Sequence, residues 1–175
     1  TGMDFIETID SNREKFLRYN SLKYQRFQQL VTNVAIKRVL NSIPFLLCVN
    51  NQKLPGYVAG DVPLGVCNYI PDEETKRYLR GKFPAAKMGI HNYKPFVEMV
   101  AVMGSVGTVA YNKKSDFDYW VCVNKRDVSS QQFEKFREKV DAIQRWVARE
   151  IGVPVHLFVN DVESVKQNIF AEDEE

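Results

Sequence analysis

Cysteine and histidine are scarce here, with three cysteines and two histidines in 175 residues. Cys48, Cys67 and Cys122 stand far apart with no paired spacing, which argues against a disulfide framework or a zinc site and fits a reducing, cytoplasmic compartment. His91 and His156 are too few for a histidine-rich metal centre. No apolar run approaches the roughly 18 residues of a spanning helix, and no charged-then-apolar leader opens the chain, so no membrane span is expected. An excess of one charge is also missing: 24 Lys plus Arg stand against 22 Asp plus Glu. Nucleic acid is therefore not an expected partner, and any phosphate binding has to be local. Internal repeats and low-complexity tracts are absent too.

What is present is a chain 45% hydrophobic, long enough for one globular core with a helical appendage. Thr1-Gly2 ahead of Met3 reads as a remnant, and the chain as a piece of something longer. From 11 to 41, apolar residues recur at helical spacing (Phe16, Tyr24, Phe27, Val34), which predicts one long or two consecutive amphipathic helices broken by Pro44. A Pro/Gly-punctuated loop, 54–65, follows. Asp72 caps a short helix through Leu79, and Gly81 to Lys94 reads as a mobile basic connection. The second half changes character. Strands are expected at 96–103, 117–123 and 153–159, with a helix between Asp127 and Ile151 closed by Gly152 and a short helix from Asp161 to Ile169. This divides the chain into a helical and loop region (1–95), a core (96–170) and an acidic tail (171–175).

The chemistry concentrates between the first two strands, where Gly104-Ser105 ends one and Ser115-Asp116-Phe117-Asp118-Tyr119-Trp120 opens the next. Side chains alternate along a strand, so Asp116 and Asp118 share one face, about 7 Å apart, while Phe117, Tyr119, Val121 and Val123 face the core. Two carboxylates on one face call for a cation. Hard Mg²⁺ or Mn²⁺ takes oxygen ligands, and a pair of such ions can activate a hydroxyl and hold a triphosphate. Ser105 and the backbone N–H groups after Gly104 suit phosphate oxygens, Ser115 can orient the ligand beside it, and Lys113 can neutralise phosphate. Trp120 shares the carboxylate face and offers a stacking plane or a packing wall. The bland alternative is an exposed edge strand with two solvated aspartates after an ordinary Gly-Ser turn.

Gly-Ser followed by Ser-Asp-x-Asp resembles the signature of the polymerase-beta-like nucleotidyltransferases. A second stretch, Leu54-Pro55-Gly56-Tyr57 through Val62-Pro63-Leu64-Gly65 to Tyr69-Ile70-Pro71-Asp72-Glu73, is similar to a segment of class I adenylate cyclases. Ser115 to Cys122 resembles that family's Ser-Asp-Leu-Asp-Ile-Trp-Val-Cys, and Gly152 to Asp161 its post-helix strand. The resemblance implies Mg²⁺-dependent cyclisation of ATP to cyclic AMP with release of pyrophosphate. It carries functional roles to Ser105, Ser115, Asp116, Asp118 and Trp120, and implies further catalytic sequence and a regulatory region outside this chain. A third acidic metal ligand falls on Asp161, with His156 nearer the position in some relatives. Leu64 stands where family members can have a lysine, and Val106-Gly107-Thr108 replaces a serine-rich turn, so weak or absent activity is expected of the isolated chain.

The resulting expectation is an α/β (α+β) fold, a small mixed sheet of nucleotidyltransferase type with an N-terminal helical layer. Its function would be that of an adenylate cyclase catalytic part. The rivals are another nucleotidyltransferase and a non-catalytic regulatory module descended from the same fold.

Overall fold

The structure is a computed structural model that describes residues 14, 15, 18, 34–90, 94–103 and 116–164. Its elements run α1 (Val34–Leu46), α2 (Glu73–Lys82), β1 (Val97–Met103), β2 (Phe117–Val123), a single 3-10 turn (Lys125–Asp127), α3 (Ser130–Ile151) and β3 (Val155–Asp161). Most of the helical stretch expected at 11–41 lies outside the described residues. Among those residues, no helix is long and apolar enough to cross a membrane.

The three strands form one mixed sheet in the order β1-β2-β3. β1 runs antiparallel to β2, and β3 runs parallel to it. The parallel pair requires a crossover, and α3 supplies it. Local chemistry sets both ends of that helix. The Ser129 side chain accepts from Gln132 N while Gln132 reaches back to the Ser129 backbone, a reciprocal capping box. At the other end Gly152 adopts φ 70, the left-handed conformation that stops a helix without steric cost.

A single hydrophobic cluster joins the two halves of the chain. Leu40, Ile43, Phe45 and Leu46 of α1 meet Phe117, Tyr119, Val121 and Val123 of β2 and Phe136, Val140, Ile143 and Val147 of α3. Phe96 and Phe136 pack edge to face, with centroids 4.9 Å apart. Among the described residues β3 is an edge strand, and the backbone N–H of Leu157 donates to Gln144 Oε1 of α3 at 2.7 Å.

Two sequence expectations need correction. Pro44 does not end the first helix, because α1 continues through it to Leu46. An interior proline costs about 3 kcal/mol, but Ile43, Phe45 and Leu46 beside it are fully buried, and each such side chain contributes about 1.5–3 kcal/mol. The stretch after Gly81 is anchored rather than loose: Phe83, Ala86, Met88 and Ile90 are partly buried against the core. Lys82 at the end of α2 is hydrogen-bonded to Glu150 of α3.

Candidate functional site

β2 is the central strand, and its alternation separates two environments. Phe117, Tyr119, Val121 and Val123 are core, as expected, and the other face carries Asp118, Trp120 and Cys122. β2 is therefore not an edge strand. The register places three rows on the second face: Met103, Asp118 and His156; Ala101, Trp120 and Phe158; Met99, Cys122 and Asn160.

Asp116 lies just before β2 and is exposed. Its Oδ2 is 4.0 Å from His156 Nε2. Asp118 sits two residues further in, where Oδ1 is buried and has no hydrogen-bond partner among the described residues. A buried carboxylate oxygen without a donor is costly, and a cation is the natural remedy. That orphaned atom and the hard oxygen donors of the pair fit a divalent ion such as Mg²⁺, which is held through one or two carboxylates and completes its shell with water and phosphate. Among the described residues no group of three His, Cys, Asp or Glu side chains forms a complete metal cage.

Asp161 is not brought to this cluster. It ends β3, opposite Val123, five register positions from the Asp118–His156 pair and so about 17 Å along the strand. There its Oδ1 accepts from the backbone N–H of Lys125 at 3.4 Å. His156 takes the place beside Asp118 instead. Gly104, Ser105, Lys113 and Ser115 lie outside the described residues, although Met103, the residue before Gly104, pairs directly with Asp118.

Leu64 belongs to the far end of the sheet. Its carbonyl accepts from Phe96 N at 3.1 Å, and Val97 pairs with Val123, so a lysine at 64 would stand about 20 Å along β1 from the carboxylate row. A cleft of about 470 Å³ opens there, lined by Asp61, Leu64, Lys94, Asp127 and Gln132 among others. It lies at the opposite end of the sheet from both aspartates.

Sequence reasoning missed Lys139. This α3 residue is fully buried, and its Nζ donates to Val49 O at 2.6 Å and Gly56 O at 2.9 Å. Burial pulls the lysine down to about 8. It clamps the 50–60 loop onto the helix, and Gly56 allows the approach: with φ +83, a Cβ there would fall 2.5 Å from Ile143 Cγ1. Phe158, 49% exposed, also went unremarked; only the β2–β3 register shows that it flanks Trp120.

Comparison with known proteins agrees with the resemblance to adenylate cyclases. The chain is similar to the adenylate cyclase of Shigella flexneri, 29% identical over 168 residues that make up 94% of this chain and 19% of that protein. It is 29% identical to the Escherichia coli K12 adenylate cyclase with the same coverage, and 28% identical to that of Pasteurella multocida over 89% of this chain and 18% of that protein. The chain thus spans about a fifth of the length of these relatives. No solved structure matches it. The profile of the adenylate cyclase NT domain matches residues 8–175, so the chain belongs to the adenylate cyclase NT domain family.

Proposed function

We propose that this domain is the metal- and nucleotide-binding part of an adenylate cyclase, holding the triphosphate of ATP through a divalent ion at Asp116 and Asp118. The observation that carries this reading is the buried Oδ1 of Asp118, without a hydrogen-bond partner among the described residues, two positions after Asp116 at the start of the central strand. Asp116 and Asp118 would hold Mg²⁺ or Mn²⁺. A divalent ion held there would supply Lewis-acid chemistry, lowering the pKa of a hydroxyl and neutralising phosphate charge. The sheet holds Asp118 between Met103 and His156, a rigid placement of the kind that positioning catalysis requires. Gly104 and Ser105, which follow Met103 in the chain and lie outside the described residues, would donate to phosphate oxygens.

The test is calorimetric titration of ATP with Mn²⁺. Asp116→Asn and Asp118→Asn should each abolish metal-dependent binding while folding persists; unchanged affinity in the double variant refutes the reading. A second reading, a module that binds nucleotide without turning it over, is favoured by the presence of only two carboxylates in the site among the described residues. Cyclic AMP formation from ATP with Mg²⁺ and with Mn²⁺ separates the two.

A further inference from the structure

Most large apolar side chains of the described residues are buried; Val34, Tyr57, Ile70 and Phe158 are exposed. Of these four, Phe158 alone lies in the sheet, in the row next to the carboxylates. It pairs in register with Trp120, which is partly buried, and stacks on His156 with centroids 5.9 Å apart and planes 26° from parallel. Ala101 occupies the third place in that row.

We infer that Phe158, with Trp120, forms a stacking platform for the base of the nucleotide whose phosphates are held at Asp116 and Asp118. This rests on the nucleotide reading above and adds the base subsite to it. Neighbouring rows on one face of a strand are two residues apart, about 7 Å, a span that one ribose bridges between a phosphate at the Asp118 row and a ring at the Trp120 row. The chemistry also divides along the face. The carboxylate row is suited to a cation with its phosphates, and the aromatic row has no charge to repel or attract, only π-faces and apolar area. A half-exposed phenylalanine in a strand gains little from packing, and a planar base would cover it. Stacking tolerates any base, so the platform provides affinity and orientation, while the choice among bases falls to hydrogen-bonding groups elsewhere.

The experiment titrates the chain with ATP and, separately, with inorganic triphosphate, both with Mn²⁺, for wild type, Phe158→Ala and Phe158→Trp. The platform predicts that wild type binds ATP more tightly than inorganic triphosphate. Phe158→Ala should weaken ATP by about tenfold without changing the triphosphate affinity, and Phe158→Trp should retain ATP affinity. Equal ATP binding by wild type and Phe158→Ala overturns the platform and leaves the metal reading standing. A parallel loss of triphosphate binding in Phe158→Ala overturns it as well, since the residue would then support the phosphate end. Absence of Mn²⁺-dependent binding of either compound by wild type overturns the nucleotide reading and the platform with it.

Discussion

Replacing Lys139 with methionine removes a buried ammonium while keeping nearly the same volume, so packing changes little. The side chain is fully buried, and its donors satisfy two backbone carbonyls, Val49 O and Gly56 O. Leaving both carbonyls buried and unpaired costs about 2–6 kcal/mol. Against this stands the cost of keeping the charge out of water. Burial lowers the lysine from 10.5 to about 8, so the folded protein binds fewer protons than the unfolded chain across that window and stability rises with pH there. The gain from pH 8 to 10.5 is about 3 kcal/mol. The two effects together give a wild-type advantage over Lys139→Met of about 1 kcal/mol at pH 7 that grows to about 3 kcal/mol by pH 10. Wild type alone does not isolate this, because burial pushes the thiols of Cys48 and Cys122 up, Cys122 to about 11. A thiol raised in the folded state makes stability fall as pH climbs, the opposite sign. Urea denaturation of both proteins between pH 7 and 10, taken as a difference at each pH, cancels the Cys122 thiol, while Cys48, whose pKa the Lys139 charge lowers, is removed by a further Cys48→Ala substitution in both proteins. A difference that stays flat, or shrinks, with rising pH would refute the assignment of Lys139 as a buried clamp on the 50–60 loop.

Asp118→Asn should leave the metal-free fold as stable as wild type or more stable by about 1 kcal/mol, since it removes a charge whose Oδ1 has no partner among the described residues; thermal melts with and without Mn²⁺ would show stabilisation by the ion in wild type only. Gly56→Ala should cost about 3 kcal/mol, combining strain at φ +83 with the 2.5 Å approach to Ile143 Cγ1. A chemical-denaturation midpoint equal to wild type would contradict the close approach of the loop to α3. Leu64→Lys should leave Mn²⁺-dependent ATP affinity unchanged, because position 64 lies at the other end of the sheet from the carboxylates; a clear gain in affinity would mean that the nucleotide reaches that end.

The local signals were legible because they depend on neighbours in the chain. Alternation alone put Phe117, Tyr119, Val121 and Val123 in the core and left Asp118 and Trp120 on the other face, and the Ser129 and Gly152 caps bound α3 as short-range backbone chemistry requires. The Asp-x-Asp motif identified the candidate site before any fold was known. Pro44 misled because a local rule gave way to the burial of Ile43, Phe45 and Leu46, a tertiary effect. Asp161 and His156 could be ranked only by the parallel register of β2 and β3: a carboxylate at the end of the right strand still lies five positions from Asp118, while the histidine pairs with it. The same register brings Phe158 beside Trp120. Nothing local marks Lys139 in the sequence, because its acceptors, Val49 O and Gly56 O, are more than 80 residues away. Sequence by itself determined the presence of the strands, the caps of α3 and the carboxylate pair, since each follows from the chemistry of adjacent residues. Only the tertiary structure decided which distant side chains share a row, a clamp or a face, because strand register and loop docking are set by contacts that the order of residues does not encode locally.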